Sequence, residues 1–471
     1  MSQIFLSTRD CNGIYKFIVG ASKKNCENFL KKKLELTIFK KKYFPSFHFI
    51  LFFFYILLSG KILKRNRAEI HYNNIEIGRF VLSNTYYHFE CYVNKLKFYK
   101  LLIKNFFLAG SIINTCNYYY NKYNIGGIYV DHCGYINGVI FSFFAQKKLS
   151  IYTNNYPHGI YFVDYNKNKK KYLLKYENTL RINLKKKINK FQKRQSERTI
   201  SRLTKNKNYI PWLAQTKFKK LEKINYKEFD YVIYTQSFTD GQMWYGNDGF
   251  ENNLEWLEFT LNNFINTKKK VLIKPHPNYY NNSFLAYALW DKKIYNLVVQ
   301  KYKKYKNLYF LKQPIHNYLL LKQLNKNCIT ISKMGSVIME TSYMNFKSIS
   351  SACTFFNKKF KISNIWKDRE NYSKLLNYND SKLKKPNKND LLKLIHVLSH
   401  VYYSCYNANF HYPNIIRKKL KLTEDNYKKK FFITARSKMS NQRTIKLNQF
   451  IKSKEISIIN EVSNVIWQVI I

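Results

Sequence analysis

The segment KKVLIKPHP at residues 269–277 decides the fold of the second half of the chain. A short run of large apolar residues is typical of a strand buried on both faces of a sheet, and proline cannot continue such a strand. Similar runs occur at residues 229–235, 307–311, 328–332 and 347–352, and helix-like stretches separate them at 254–265, 284–304, 315–324 and 335–344. This alternation predicts a mostly parallel sheet covered by helices on both faces, which is a doubly wound α/β domain.

The first half of the chain has its own pattern of helices and strands. A long helix is predicted at residues 93–123, where apolar residues recur every three or four positions, and a βαβ unit at 126–153. Residues 166–223 are rich in Lys, which indicates exposed helices or an insertion before a domain boundary. We therefore divide the chain into an N-terminal extension (1–69), a first α/β domain (70–225), a second α/β domain (226–405) and a basic tail docking on the body (406–471).

Composition leaves the origin of the charge open. The 471 residues suffice for two or three domains, and with 45% hydrophobic residues the chain is too apolar to be disordered in bulk. A formal charge of +54 suits a polyanionic partner, either nucleic acid or an acidic membrane surface. However, only 12 of the 82 basic residues are Arg, and residues with A/T-rich codons are abundant, so compositional drift toward Lys also explains the charge.

The cysteines and the N-terminus indicate an intracellular protein. The eight cysteines are dispersed, without a CxxC pair or the Cys/His spacing of a zinc site. The first twenty residues lack the basic start, apolar run and cleavage site of a signal peptide. We therefore expect reduced thiols, no metal site and a cytoplasmic location.

One segment, YFPSFHFILFFFYILL at residues 43–58, is almost wholly apolar and lies between basic flanks. As a helix, its 16 residues span about 24 Å, which is short of the roughly 30 Å of a hydrocarbon core. Three placements are open. The segment is a buried core element, a membrane-surface element whose basic neighbours meet anionic headgroups, or a transmembrane helix.

Ligands of open α/β sheets bind beyond the carboxyl ends of the strands, and Lys274-Pro275-His276-Pro277 directly follows a predicted strand. The prolines fix the backbone, so the Lys274 cation and the His276 imidazole are held at the edge of the sheet. Such a pair suits a phosphate or diphosphate, with the lysine as a charge and the imidazole as a directed donor. We predict an anion site here, which includes Pro277.

A second candidate site lies at residues 331–344, where a strand ends at Ser332 and a helix begins near Gly335 and Ser336. Glycine permits close backbone approach, serine caps the helix, and the helix N-terminus favours an anion. Glu340 lies about one turn further on the same face and can accept both hydroxyls of a ribose. Together these features predict a site for a nucleoside monophosphate or diphosphate.

The loop after the strand at 229–235 carries Asp240 where a ligand would lie, while Phe250 and Trp256 have the character of packing residues. The order F-x-D, F…W…T, K-P-H-P and G-S-x-x-x-E resembles bacterial capsule and surface polysaccharide biosynthesis proteins with the GT-B fold. These include Kdo-transferase-like capsule proteins and, more distantly, CDP-glycerol glycerophosphotransferases and bacterial sialyltransferases. The matching residues are Phe238, Asp240, Phe250, Trp256, Thr260, Lys274 to Pro277, Gly335, Ser336 and Glu340.

The resemblance extends to the first half of the chain and departs from the family at one point. Segments 75–86 and 130–140 are similar to N-terminal motifs of that family, the second with a central Tyr. Where the family usually has Gly-x-Pro, this chain has Asn345-Phe346-Lys347. Asparagine tolerates a left-handed turn nearly as well as glycine does, so we expect the fold to persist.

The resemblance implies two Rossmann-like doubly wound domains that face a cleft. It also implies a glycosyltransferase that moves a sugar or a polyol phosphate to a glycan or lipid-linked acceptor. The donor, a nucleotide-activated sugar or CDP-polyol, would bind the second domain at Lys274, His276, Pro277, Ser332, Gly335, Ser336 and Glu340. Lys274, His276 and the helix N-terminus would stabilise the departing phosphate without a metal or other cofactor. Asp131 and Asp240 are the candidates for the base that activates the acceptor hydroxyl, and His276 is the third candidate catalytic residue.

Two other classes of function stay open on the sequence. A nucleic-acid-binding protein would use the Lys-rich helices and the aromatic residues, but no RNP-like interleaving of the two occurs, so we predict no specific nucleic-acid partner. A non-catalytic GT-B component of polysaccharide export would keep the fold without the activity. For the transferase, we expect peripheral contact with the anionic inner face of the cytoplasmic membrane, through residues 40–67 and the Lys-rich stretch before residue 225.

Overall fold

A computed structural model describes residues 3–7, 36–39, 43–122, 125–131, 134–147, 150–154, 160–163, 188–205, 218–243, 246–280, 285–354, 360–378 and 380–398. The predicted tail at 406–471 lies outside the described residues, as do residues 164–187 and 206–217 of the Lys-rich stretch. The described chain forms two α/β units, each built on one large sheet.

The first unit contains the elements of the first half of the chain. Its strands are β1 (Gln3–Ser7), β2 (Leu36–Phe39), β3 (His71–Tyr72), β4 (Ile75–Glu76), β5 (Ile125–Asp131), β6 (Ser150–Asn154) and β7 (Ile160–Val163). Its helices are α1 (Phe47–Leu58), α2 (Gly78–Thr85), α3 (Glu90–Val93), α4 (Lys95–Lys122) and α5 (Gly138–Gln146), with a 3-10 turn at Arg65–Glu69. The predicted long helix is α4, and the predicted βαβ unit is β5, α5 and β6.

The first sheet has the strand order β2-β1-β5-β6-β7 and is parallel except for β7, which is antiparallel to β6. Numbered within this sheet, the order is 2-1-3-4-5, a doubly wound arrangement that reverses between β1 and β5. Residues 1–69, which contain β1 and β2, were predicted to be an N-terminal extension. In the structure β1 pairs with both β2 and β5 inside the sheet. The pairing of β1 with β5 joins segments far apart in the chain, and a local pattern does not reveal it.

The second unit is a six-stranded, fully parallel sheet covered by helices. Its strands are β8 (Tyr231–Tyr234), β9 (Val271–Lys274), β10 (Leu308–Phe310), β11 (Ile329–Ser332), β12 (Ser348–Ser351) and β13 (Asn364–Trp366). Its helices are α6 (Lys190–Lys205), α7 (Asn253–Phe264), α8 (Leu285–Tyr302), α9 (Asn317–Gln323), α10 (Val337–Tyr343), α11 (Arg369–Leu376) and α12 (Lys388–Leu398). 3-10 turns lie at Tyr226–Glu228, Pro277–Tyr280 and Asp380–Lys382.

The strand order β10-β9-β8-β11-β12-β13 is the 3-2-1-4-5-6 order of a Rossmann-like sheet. The predicted α/β class with doubly wound sheets is therefore confirmed. β8, β9, β11 and β12 are buried at every position, because helices cover both faces of a parallel sheet. β13 was not predicted; it is a three-residue strand at the edge of the sheet.

Aromatic side chains fill the core on the α7 side of this sheet. Trp256 stacks on Trp366 with ring centroids 6.4 Å apart. Phe250 meets the edge of Tyr372 at 5.7 Å, and Thr260 Oγ1 lies 2.7 Å from the Tyr372 hydroxyl oxygen. Phe250 and Trp256 are fully buried, so the prediction that they are packing residues is confirmed.

The loop that follows β8 joins the two units. Its Met243 is buried in the core of the first unit. Arg79 donates to the Met243 carbonyl oxygen (3.0 Å), and the Met243 N–H donates to Ser83 Oγ (3.2 Å). Further along, Glu251 forms a buried ion pair with Arg67. Two buried cations of the first unit therefore hold one segment of the second.

Helix α1 contains most of the predicted apolar segment and is a core element on one side. Phe49, Phe53 and Ile56 are buried. Gly110 of α4 leaves room for the Phe49 ring, because a Cβ at this position would come within 2.3 Å of a ring carbon. None of the helices in the described ranges is both long and apolar enough to cross a membrane.

Helix α6 belongs to the Lys-rich stretch but packs on the second unit. Its Ile200 and Leu203 are buried, and the helix lies against α10 and α12. Lys388 of α12 forms an exposed ion pair with Glu197 (3.0 Å). The helix therefore lies with the second sheet, although the predicted domain boundary is near residue 225.

Replacing Gly110 by Ala is expected to destabilise the first unit, because the added methyl group overlaps the Phe49 ring. Overpacking of this kind costs about 1–3 kcal/mol in free energy of unfolding, which urea titration measures. Lys104→Ala, at an exposed position of the same helix, should change that free energy by less than about 0.5 kcal/mol. Equal stability of the two variants would contradict the packing of α1 on α4.

Candidate functional site

The strand order of the second sheet reverses between β8 and β11, so a crevice is expected beyond their carboxyl ends. Gln236, two residues after β8, donates from Nε2 to Ser332 Oγ at the end of β11 (2.8 Å). Gly335 lies against this hydrogen bond. A Cβ on Gly335 would come within 2.6 Å of Ser332 Oγ and 2.8 Å of Gln236 Nε2, so only glycine fits here without displacing them.

Helix α10 begins at Val337, with the exposed Ser336 in the N-cap position. The sequence predicted that the Ser336 side chain caps this helix, but it makes no capping hydrogen bond. The reason is conformational, because Ser336 is already helical (φ −58°, ψ −17°), whereas a capping serine is extended. Beyond the helix, Asn345 has φ 65°, so it adopts the left-handed conformation that the sequence predicted it would tolerate.

Lys274 and His276 lie at the end of β9, next to β8 in the sheet. Only 5% of Lys274 is exposed, and burial lowers the pKa of its ammonium group to about 8, against the opposing effect of Glu340. Burial, together with the Lys274 charge, lowers the pKa of His276 to about 4. At neutral pH the site therefore combines a buried cation with a neutral imidazole, which suits an anionic ligand. Pro277 begins the turn Pro277–Tyr280 that follows.

Glu340 on α10 is held from the neighbouring helix. Its Oε2 accepts a hydrogen bond from Nδ2 of Asn317, the first residue of α9 (2.9 Å). Burial raises the pKa of Glu340 to about 7, while Asn317 and the Lys274 charge oppose the shift. Asn317 Oδ1 is buried without a hydrogen-bond partner. The two oxygens of the Glu340 carboxylate can accept hydrogen bonds from a ligand with paired hydroxyl groups.

Asp240 lies on the loop after β8, where this loop meets the first unit. Tyr135, just after β5, donates its hydroxyl hydrogen to Asp240 Oδ1 and accepts from the Gly241 N–H (3.1 Å). Asp240 reaches solvent, yet the surrounding protein raises its pKa, an effect that the Tyr135 hydrogen bond opposes. Because Tyr135 and Asp240 both lie beyond the carboxyl ends of their sheets, those two edges face each other.

Asp131, the other candidate base, is the last residue of β5 and therefore lies on the same edge of the first sheet. Its side chain lies outside the described residues. The structure thus places Lys274, Ser332 and Glu340 at the carboxyl edge of the second sheet, with Asp240 on the rim that contacts the first unit.

Asp291 was missed by the sequence prediction, although it holds the loop that leads to Asp240. It lies on α8 and is fully buried. Its carboxylate accepts hydrogen bonds from Ser237 Oγ, Phe238 N, Thr239 N and Thr239 Oγ1 at 2.5–2.9 Å. Burial raises the pKa of Asp291 to about 7, while the hydrogen bonds from Ser237 and Thr239 oppose the shift. This carboxylate is a positioning group for the loop.

The sequence contained a signal for Asp291. It contained none for the buried ion pair between Lys333 and Asp248. Asp291 shares the helical spacing of the buried residues Ile294, Tyr295 and Val298, so it is a carboxylate on an apolar stripe. Lys333, directly after β11, pairs with Asp248 at 3.3 Å, and 2% of each side chain is exposed. These two residues are distant in the sequence, so only the fold brings them together. Among the described residues, no three His, Cys, Asp or Glu side chains are grouped as a metal ion would require.

Comparison with known proteins gives distant structural likenesses. No protein-family model matches the chain, and no curated protein sequence matches it. KpsC of Thermosulfurimonas dismutans, a beta Kdo 2,4 transferase, is similar at 9% identity over 58% of this chain and 79% of that chain, with a TM-score of 0.35. The UDP-GlcNAc 2-epimerase of Methanocaldococcus jannaschii, solved with UDP-GlcNAc and UDP, is similar at 10% identity over 65% and 88%, with a TM-score of 0.25. The α/β assignment rests on the strand orders described above.

Replacing Asp291 by Asn is expected to change how stability depends on pH. The folded-state pKa of about 7 lies above the ordinary value of 3.8, so the native protein binds this proton more tightly than the unfolded chain does. The parent protein should therefore lose about 2 kcal/mol of unfolding free energy between pH 5 and pH 7 through this group. In Asp291→Asn this contribution disappears, and urea titrations at both pH values measure it. Parallel pH dependences of parent and variant would refute the assignment.

Proposed function

We propose that this chain is a glycosyltransferase of surface or capsular polysaccharide synthesis. It would transfer a sugar or a polyol phosphate from a nucleotide-activated donor to a glycan or lipid-linked acceptor. The observation that carries the proposal is the electrostatic interaction of Lys274 with Glu340 beyond the carboxyl ends of the strands of the second sheet. A cation for phosphate and an acceptor for hydroxyl groups at one crevice match the two ends of a nucleoside diphosphate.

In this proposal the donor phosphates lie against Lys274 and His276, near the first residues of α10. The ribose hydroxyls donate to Glu340, and the hydrogen bond from Asn317 Nδ2 holds this carboxylate in place. Hydrogen bonds from ribose favour the ionised carboxylate, so donor binding lowers the pKa of Glu340 from its unliganded value of about 7. Gly335 and Ser332 lie next to the proposed phosphates. Because Gly335 has no side chain, the phosphates can approach the backbone closely there.

The chemical step leaves negative charge on the departing phosphate. In the proposal Lys274 balances this charge, and the N–H of the neutral His276 imidazole donates a hydrogen bond to the phosphate. Such fixed groups act where charge develops, and they perform this role in the proposal without a metal ion. The proposed acceptor approaches from the side of the first unit. Asp240, on the loop after β8, accepts its hydroxyl proton, and Tyr135 of the first unit orients Asp240. Asp131 is the second candidate for this base. Peripheral attachment to the inner face of the cytoplasmic membrane belongs to the same proposal.

Lys274→Met, His276→Ala and Glu340→Gln are each expected to weaken binding of CDP, CMP and UDP, measured by titration calorimetry in EDTA. The loss of one charge-assisted hydrogen bond corresponds to about 10- to 100-fold in dissociation constant. Lys322→Ala, which removes an exposed lysine of α9, serves as control and should bind like the parent. If folded Lys274 and Glu340 variants bind all three nucleotides as tightly as the parent, the site assignment is wrong.

The pH dependence of nucleotide binding gives a separate test. Affinity should rise as the pH passes the Glu340 pKa of about 7, because the ionised carboxylate accepts both hydroxyls. It should fall again above the Lys274 pKa of about 8, where the cation is lost. In Glu340→Gln the acidic limb should be absent while the alkaline limb remains. An acidic limb unchanged in that variant would exclude Glu340 from nucleotide recognition.

Asp240→Asn is expected to reduce the transfer rate about 10²- to 10⁴-fold, because general base catalysis contributes a factor of this size. Nucleotide affinity should stay within twofold of the parent, since Asp240 lies on the acceptor side. Tyr135→Phe should cause a smaller loss, and Glu258→Gln, at a surface ion pair, none. Full activity of Asp240→Asn together with an inactive Asp131→Asn would move the role of base to Asp131.

A further inference from the structure

The side of α1 that faces away from the core is apolar and exposed. Its residues recur at helical spacing, and between 49% and 85% of each is accessible to solvent: Phe47, Leu51, Phe54, Tyr55 and Leu58. Phe44, just before the helix, and Leu63, just after it, are also exposed, at 74% and 61%. We call these seven side chains the α1 outer face. An exposed apolar surface of this kind marks an interaction site.

Helices α1 and α4 contain no acidic residue. Residues 43–64 and 95–122, which include α1 and α4, contain no Asp or Glu but seven Lys. The two helices run antiparallel, because Phe53 packs on Phe107 (4.8 Å) while the Tyr43 N–H donates to Thr115 Oγ1 (3.0 Å). The lysines in the first turns of α4 therefore lie at the same end of the helix pair as Lys61 and Lys64. Positive charge is therefore concentrated at one end of the α1–α4 pair.

We propose that the α1 outer face docks the protein on a bilayer with anionic headgroups. The 12-residue helix would lie in the plane of the interface, with its apolar side chains at the boundary between headgroups and acyl chains. The Lys61 ammonium group lies 4.9 Å above the Tyr55 ring, so a lysine stem already follows the apolar face with its charge at the rim. Lys61 and Lys64 would meet lipid phosphates there.

The charge pattern selects this occupant over a second copy of the chain. A second copy of this face would add lysines and an apolar surface, but residues 43–64 and 95–122 offer no carboxylate to pair with those lysines. An anionic bilayer supplies both the apolar interior and the negative charge that the face lacks. This docking rests on the membrane attachment included in the proposed function, but it does not depend on the donor site, because α1 belongs to the first unit while Lys274 and Glu340 lie on the second.

The apolar part of the proposal is tested by co-sedimentation of the full chain with phosphatidylcholine vesicles containing 30% phosphatidylglycerol. We expect Phe54→Glu/Leu58→Glu to reduce the bound fraction at least tenfold. The matched control is Leu289→Glu/Leu297→Glu, which introduces the same charge at exposed leucines of α8 and should bind like the parent. Equal loss in both double variants would overturn the proposal, because bulk charge would then explain binding.

The charge part is tested with the same vesicles. Lys61→Gln/Lys64→Gln should weaken binding about tenfold, whereas Lys303→Gln/Lys304→Gln, on the second unit, should not. Equal binding of the parent to vesicles without phosphatidylglycerol would overturn the role of anionic lipid. A parent dimer that Phe54→Glu/Leu58→Glu converts to monomer, without lipid binding, would assign the face to a second copy. CDP affinity, measured in the same variants, stays at the parent value, so a failure of docking is distinguished from a failure of the donor site.

Discussion

The loop between β8 and α7 has to satisfy two cores at once. At its start, the buried Asp291 carboxylate binds backbone and side-chain donors of residues 237–239. At its middle, Met243 fills space in the core of the first unit. Asp240 lies between these two fixed points, so its position against Tyr135 is determined from both sides. A change in the packing of either core would therefore displace Asp240 at the rim where the two sheets meet.

Burial and mutual attraction oppose each other in the crevice. Burial away from water favours the neutral forms of Lys274 and Glu340. The charge of each group, however, favours the ionised form of the other. Two groups in this balance respond strongly to an incoming charge or hydrogen-bond donor. The chain carries a formal charge of +54, yet the cations that organise its interior are few. Arg67 and Arg79 join the units and Lys333 pairs with Asp248, whereas the lysines of α4 and α6 are mostly exposed.

Most of the second unit could be predicted from the sequence, because its strands are short apolar runs separated by helices. The residues after those strands could also be named, since the carboxyl edge of a parallel sheet collects them. The partners of Asp291 and the Lys333–Asp248 pair could not, because they come from segments that are distant in the sequence. The pairing of β1 with β5 could not be predicted for the same reason. The predicted capping by Ser336 was wrong, because a residue type does not determine the backbone conformation at a helix start.

Helix α6 has a consequence for how the chain can be divided. It precedes the second sheet in sequence and yet covers α12, the last described helix of that unit. A fragment that starts at the predicted boundary near residue 225 would uncover the side of α12 against which Ile200 and Leu203 are buried. The smallest autonomous fragment of the second unit therefore begins before Lys190. Exchange of complete halves between related chains would keep this helix with its sheet only if the junction fell before that residue.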